Sequence, residues 1–403
     1  MRRATSLRSR PVAATIAIAE ALAPRLGIRA VVDATGIDRL GLPVFFSVRR
    51  RAATQQVHAG KGPTAADARA GALMEAIELA VAERASVAAR PVRMTIGELV
   101  AQLPGRLDIA DFAPRLGADR DPSRPLLAVL CESISPNAET AFVPAELALV
   151  PGRIGRTQPL FGWSSNGLAS GNTRDEATLH GLLEVLERDA LAMNLAEDAS
   201  FALVNDELPA PFAGKAREWQ RIGIGLVVRY VPNAFGMPCF EAALHDRSSR
   251  AVLLARGSGL HVEKEIALAR AVCEAAQSRA RVLYGLRPGY SARDNASAQL
   301  LRAMRDKELL VLERLQRTTR RINFAAVPDR RCRSIAAALR ELAVQLGSLG
   351  LAPVYRHEME PTGPAAAGGL HVVKVIVPRC ESIVERHVRM GPRLLERVLR
   401  QRR

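Results

Sequence analysis

Aromatic residues make up only 4% of this 403-residue chain, so it lacks the ring platforms on which single-stranded nucleic acid stacks, and Leu, Val, Ile and Ala must fill the core. Cysteine is also sparse: Cys131, Cys239, Cys273, Cys332 and Cys380 form no C-x-x-C and no Cys/His cluster. That argues against a zinc site and suits a reducing compartment such as the cytoplasm. No run approaches the ~20 apolar residues needed to cross a bilayer. The start, MRRATSLRSRPVAATIAIAEALAPRLG, imitates a targeting signal, but Glu20 and Arg25 interrupt its apolar run and no small-residue cleavage site follows. It reads instead as an amphipathic helix lying on the body of the protein. No Walker-type phosphate loop is present, and the Gly60–Lys61–Gly62 turn is at most a weak phosphate signal through Lys61.

Lysine occurs only at positions 61, 215, 264, 307 and 374, so the net charge of +16 is an arginine excess. Such a balance raises nucleic acid as a partner. No reading motif supports that partner, and a solvated surface, an anionic nucleotide or an acidic peptide suits the field equally. At 48% hydrophobic and 24% charged residues, the composition is that of a globular protein able to bury a sizeable core. The length allows two or three domains, or one large domain with subdomains.

Strand and turn patterns over about Ile28–Val57 lead to a helix from Thr64 to about Ser86, with Asp67 completing a variant of the capping box. Short apolar runs separated by Pro over Val92–Gly162 again read as strand and turn. The loop SSNGLASGNT then opens a helix ending near Asn194, with Thr173 and Glu176 as its capping box. Alternating segments precede a third helix over about Val262–Leu283. Further helices at 292–318 and 333–349, a strand at HVVKVIVP and a basic C-terminal helix complete an α+β pattern of mixed sheets with packed helices. No low-complexity linker divides it. The expected organisation is an N-terminal helical segment (1–27), one large domain (28–380) and a basic C-terminal helix packed on it (381–403).

Two of these helices carry E-x-x-E pairs among Ala, Leu, Ile and Val: Glu75/Glu78 and Glu184/Glu187. Residues three apart share a helical face, so each pair projects two carboxylates together from surroundings that favour burial. One such pair alone is most often a solvated face. Two together need protons, cations or water to compensate them, and facing one another they suit a hard, oxygen-seeking ion such as Mg²⁺, which commonly bridges to phosphate. A di-iron bundle would need Glu-x-x-His pairs, and none occurs. Asn172 and Glu176 lie at a helix start, where an anion is favoured, although Asn172 equally suits a turn. Arg188 and Arg270 can fork to phosphate or pair with a nearby Glu. Glu274 lies one turn from Arg270, with Gln277 on the next turn. The two E-x-x-E helices, each after a Gly-containing loop, are compatible with an internal duplication.

The strings GKGPTAADARAGALMEAIE, SSNGLASGNTRDEATLHGLLEVLERDA and EKEIALARAVCEAAQSR together resemble the YcaO family of ATP-utilising enzymes, from about Ile28 to Pro378. The resemblance implies a YcaO-type ATP-binding fold in which Glu75, Glu78, Glu184 and Glu187, with Glu176 as a further candidate, hold Mg²⁺. It implies that Asn172, Arg188, Arg270 and Glu274 contact the nucleotide, beside Lys61 of the Gly60–Gly62 turn as a further candidate, with Arg188 and Glu187 the candidates for the chemistry. Gly71 stands where such proteins often have Ser. The end, GPRLLERVLRQRR, lacks the proline-rich terminus of azoline-forming members, and the region from HVVKVIVPRCE onward looks like members that work beside TfuA-type proteins. The implied activity is ATP-dependent O-phosphorylation of a peptide backbone amide leading to thioamidation, with a precursor peptide or protein as substrate and a TfuA-like partner. Azoline formation by cyclodehydration is the alternative within the family, and a non-catalytic nucleic-acid- or ribosome-associated protein the alternative outside it. A homodimer is compatible with the sequence.

Overall fold

A computed structural model describes residues 2–3, 6–105, 107–134, 139–152, 158–249, 252–285, 298–318, 320–359, 369–383 and 389–400. The start of the expected helix at 292–318 and parts of the C-terminal segment lie outside these. A small hairpin, β1 (Arg2–Arg3) with β2 (Ser6–Leu7), precedes helix α1 (Val12–Leu22) and a short 3-10 turn, Ala23–Leu26. Strands β3 (Ile28–Asp33), β4 (Val44–Arg49) and β5 (Val57–Lys61) form a three-stranded sheet, and α2 (Ala65–Ala88) packs across it. Then come β6 (Val92–Thr95), α3 (Ile96–Ala101), β7 (Pro125–Ser133), β8 (Thr140–Pro144), α4 (Ala145–Ala148), β9 (Leu168–Gly171) and α5 (Arg174–Ala196). A second layer contains β10 (Phe201–Ala202), α6 (Phe212–Arg221), β11 (Gly225–Tyr230), β12 (Cys239–His245), β13 (Leu254–Leu260) and α7 (Lys264–Gly285). The chain finishes with α8 (Ala298–Gln316), α9 (Ile335–Ser348), β14 (Tyr355–Glu358), β15 (His371–Ile376) and α10 (Pro392–Arg400).

The expected combination of sheets and packed helices is present, and every pairing of these named strands is antiparallel. The largest sheet runs β6-β7-β14-β15-β9 with β8 on β7, and α5 lies against β15 and β9. The order β10-β11-β12-β13 makes another sheet, against which α7 packs. Helix α5 buries Leu179, Leu182, Leu183 and Leu186 with Val373 and Val375 of β15 and Leu339, Leu342 and Leu346 of α9. Helix α1 joins α2 through Ala19, Leu22, Leu73 and Ile77.

The scarcity of aromatics finds its reason in the small residues at these helix–sheet contacts. A Cβ on Gly60 of β5 would lie 1.9 Å from the Ala68 carbonyl of α2, and one on Gly259 of β13 would lie 2.2 Å from the Ala267 carbonyl of α7. Glycine and alanine therefore let these helices sit directly on their sheets, which packed interiors reward. Gly71 belongs to the same crossing: its Cβ would lie 3.3 Å from the Gly60 Cα. A serine at this position would tighten the contact between β5 and α2.

Four of the arginines work inside the protein. Arg279 pairs with Asp38 and Asp246, Arg229 with Asp198, Arg356 with Glu132, and Arg49 with Glu83, and all four guanidinium-bearing residues are buried. Arg forks satisfy several acceptors at once and are the residues suited to buried ion pairs. Among the described residues no helix is long and apolar enough to cross a membrane.

Candidate functional site

Helices α2, α5 and α7, each held close to its sheet, converge on a cavity of about 400 Å³. Helical periodicity decides what faces it. Helix α2 contributes Gly71, Met74, Glu75 and Glu78; α5 contributes Glu176, His180, Glu184, Glu187 and Arg188; α7 contributes Arg270, Glu274, Gln277 and Arg281. Lys61 at the end of β5 closes one side, and Ser6, Arg8 and Thr15 of the N-terminal segment another. Of the expected site residues, only Asn172 does not line the cavity.

The two acidic pairs do meet. Burial raises the carboxyls of Glu75 and Glu184, and Glu78 is driven well above the usual range by burial and then by the charges of Glu184 and Glu75. These side chains keep some accessible surface, but the solvent they see is that of a cavity deep within packed protein, so full screening is not available to them. Part of the charge is balanced by the protein: Arg281 lies 3.1 Å from Glu75, and Lys61 pairs with Glu274. Burial pushes Glu274 upward, but Lys61 and Arg188 outweigh it and hold its carboxyl below the ordinary value. Against its own burial, Arg188 is held firmly protonated by Glu187, Glu184 and Glu274.

Other expected ligands are already engaged. Glu187 is buried, with its oxygens accepting from Ser258 Oγ at 2.6 Å and the Leu260 N–H at 3.0 Å. Glu176 accepts from the Ser9 N–H and Oγ at 2.8 and 2.7 Å, and from Asn172 Nδ2 at 2.9 Å. Asn172, fully enclosed behind the wall, also accepts from Thr15 Oγ1 at 3.0 Å. These contacts correct the expected capping boxes. Thr173 caps the Glu176 N–H and Thr64 caps the Asp67 N–H, each at 3.1 Å, but the reciprocal half is absent because Glu176 reaches the N-terminal segment and Asp67 accepts from Thr64 Oγ1. Arg270 Nη1 lies 3.3 Å from His180 Nε2, and burial, then Arg270 and Arg8, hold His180 down to about 3. Imidazole there is neutral at physiological pH.

Sequence reasoning missed Arg281 and His180, which line the cavity. Arg281 continues the α7 face after Arg270, Glu274 and Gln277, and His180 lies one turn before Glu184, so helical period alone could have found both. The N-terminal contribution of Ser9 and Thr15 has no local signal, because their partners are 167 and 157 residues away.

The donor set fits Mg²⁺ and an anionic nucleotide. Among the described residues no three acidic, histidine or cysteine side chains converge as a ready-made metal cage. Mg²⁺ does not require one: it is usually held by one or two carboxylates, waters and substrate phosphates. Glu75, Glu78 and Glu184, all raised by burial, share the cavity with Arg188, Arg270 and Lys61, and give the mixture of anionic and cationic side chains that such a bridged assembly needs.

The model of the YcaO family, described as YcaO cyclodehydratase, ATP- and Mg²⁺-binding, matches residues 59–381. The chain belongs to the YcaO family. ATP and Mg²⁺ are therefore the cofactors of this fold, and its family is one of ATP-dependent peptide-modifying enzymes. An uncharacterised protein of Methanothermobacter thermautotrophicus is 30% identical over 92% of this chain and 94% of its own length. An uncharacterised protein from the tfuA 3′ region of Rhizobium leguminosarum bv. trifolii is also 30% identical, over 92% of this chain and 88% of its own. The YcaO structure from Methanopyrus kandleri, bound with AMPPCP and Mg²⁺, superposes with a TM-score of 0.71 at 22% identity, covering 97% and 98% of the two chains. A heterocyclase in complex with substrate and cofactor gives a TM-score of 0.76 at 20% identity over 98% of this chain, which spans 56% of that larger protein.

Proposed function

We propose that this YcaO protein uses ATP and Mg²⁺ to activate a peptide backbone amide by phosphorylating its oxygen, and that the outcome is thioamidation. The observation that carries the finer reading is the relative from a tfuA 3′ region, similar over nearly the whole chain. The cavity supports the coarser one. An amide resists attack because resonance places electron density on its oxygen; once sulfide from an external donor has added to the carbonyl carbon, transfer of the ATP γ-phosphoryl to that oxygen would let it leave as inorganic phosphate, with ADP released and the proton on sulfur lost as the C=S bond forms. Phosphoryl transfer asks a protein mainly for positioning and charge neutralisation. Glu75, Glu78, Glu184 and Glu187, with Glu176, would hold Mg²⁺, which supplies neutralisation of phosphate charge when bound. Arg188, kept protonated by its acidic neighbours, and Arg270 offer fixed cations to phosphate, while Lys61 and Glu274 complete the wall. Glu187, locked by Ser258 and Leu260, fixes the turn of α5 from which Arg188 projects. Asn172 acts behind the wall by orienting Glu176.

In this reading residues 28–380 act as one catalytic unit in the cytoplasm, with the N-terminal segment and the basic C-terminal helix packed on it, beside a TfuA-like partner and a peptide or protein substrate. The family's description as cyclodehydratase favours azoline formation as the second reading. Mass spectrometry of a peptide encoded beside the gene, treated with the protein, its partner, Mg-ATP and a sulfide source, separates the two. Exchange of oxygen for sulfur raises the mass, loss of water lowers it, and an unchanged mass that persists with every component present defeats both.

A further inference from the structure

The start of α7 lends residues to a second hollow, of about 360 Å³, close in size to the cavity of about 400 Å³ and within the range of about 300–1,000 Å³ usual for ligand pockets. Its apolar lining is Pro63, Ala210, Pro211, Phe212, Ile266 and Ala269. Phe212, Ile266 and Ala269 are buried and make its floor, while Ala210 and Pro211 are exposed at its rim. Its charged lining is three carboxylates, Glu263, Glu265 and Asp329, against one guanidinium, Arg331. Arg331 Nε lies 3.3 Å from Asp329 Oδ2, and the other oxygen of Asp329 accepts the Lys264 N–H at 3.0 Å. Lys264 does not offset the remainder, since its Nζ donates to the carbonyls of Phe324 and Ala325 at 3.1 and 3.0 Å. Glu263 and Glu265 therefore leave an anionic groove in a chain whose net charge is +16, and such a groove favours the sign of partner that the rest of the surface repels. The groove also adjoins the acidic-pair cavity. Pro63 follows Lys61 by two residues, so their Cα atoms are at most about 7 Å apart. On α7, Ile266 and Ala269 line the groove, while Arg270, Glu274 and Gln277 line the cavity.

We propose that this groove docks the peptide substrate, taking a segment with basic and apolar side chains and holding the adjoining backbone at the mouth of the cavity. This rests on the reading of the cavity as the place where Mg-ATP activates a peptide amide. Arg and Lys suit such a lining, because their methylene stems bury along apolar surface while the charged head stays at the rim, here beside Glu263 and Glu265. Anchoring the peptide outside the cavity fixes the reacting amide without spending the cavity's own side chains, and positioning of that kind is a large part of catalysis. Nucleic acid and acidic peptides, which the overall charge attracts, are repelled by this lining.

The test uses two short fluorescein-labelled peptides, one carrying arginines and leucines among glycines and serines, the other identical but with Glu for each Arg. Their binding to the full-length protein is followed by fluorescence anisotropy at saturating Mg²⁺ and non-hydrolysable ATP analogue, and the analogue's own affinity is measured by calorimetry. Glu265 and Arg331 are both exposed, so Glu265→Lys and Arg331→Glu change the groove's charge with little risk to folding. The basic peptide should bind the parent about tenfold more tightly than its acidic twin, against the overall charge of the protein. Glu265→Lys should weaken the basic peptide about fivefold and Arg331→Glu should tighten it by a similar factor, the size of exposed charge pairs made and reversed, and the analogue's affinity should stay as in the parent. An acidic twin that binds as tightly, or a basic peptide indifferent to both variants, overturns the proposal, and so does a basic peptide that fails to bind a parent that holds the analogue. A parent that does not bind the analogue overturns the site reading, and the groove's role with it.

Discussion

Replacing Glu78 by Gln should stabilise the free protein while removing its response to Mg-nucleotide. Glu78 lines the cavity with Glu75 of its own helix and Glu184 of α5, and is raised well above the ordinary carboxyl range by burial and then by those two charges. Like charges one helical turn apart repel by about 0.2–0.5 kcal/mol on an exposed helix, and several-fold more at the lower effective dielectric of a pocket. With two such neighbours, Gln, which keeps the shape and removes the charge, should relieve about 1–3 kcal/mol. The sign with pH follows from linkage: a group whose folded pKa is raised carries no penalty below its unfolded value and an increasing one as pH rises through the folded value. The parent, stripped of divalent ions, should therefore lose stability from this group as pH climbs above about 4.5, and Glu78→Gln should flatten that limb. Urea unfolding in a chelating buffer near neutral pH measures the gain. In saturating Mg-nucleotide the parent should gain about 2.7 kcal/mol at a hundred times Kd, and Glu78→Gln little. A variant less stable than the parent without divalent ions would refute the reasoning, since it would mean Glu78 is well compensated by the protein alone.

Gly60→Ala should destabilise by more than about 3 kcal/mol, because its Cβ would meet backbone of α2 at 1.9 Å and overpacking against backbone has little room to relax; thermal unfolding followed by circular dichroism checks this. Ser9→Ala removes one of the two hydrogen bonds that the N-terminal segment gives Glu176, and should cost about 1 kcal/mol by the same assay. His180 and His261 are held down to about 3 and His58 to about 4, in each case first by burial. Depressed histidines lose stability as pH falls below their unfolded value near 6.5, so the free protein should weaken progressively between pH 6.5 and 4, and His261→Gln should soften that limb in a pH series of unfolding midpoints.

The three site helices were legible because each combines a long apolar period with a local start signal, and their observed spans differ from the expected ones by about two residues at an end. The facing of the acidic pairs followed from their burial pattern rather than from any single motif. What the sequence hid is long-range. Glu176 reads as the closing half of a capping box, yet the folded chain offers it Ser9, a partner no local rule names. Region 92–162 reads as strand and turn, while Thr95 and Glu98 form a complete capping box that starts α3. HVVKVIVP reads correctly as a strand, but alternation alone could not say that Lys374 donates to the carbonyls of Ser164 and Asn166. The N-terminal segment was expected to be helical, and among its described residues only Val12–Leu22 form an α-helix; Ser6 and Arg8 ahead of it line the cavity.

The most direct test is ATP hydrolysis by Glu75→Ala and Glu187→Ala proteins whose circular dichroism matches the parent. An Mg-ATP site built from the two acidic pairs predicts that both lose Mg-dependent hydrolysis, whereas parent-like turnover in either folded variant contradicts the assignment of that glutamate, and in both contradicts the site.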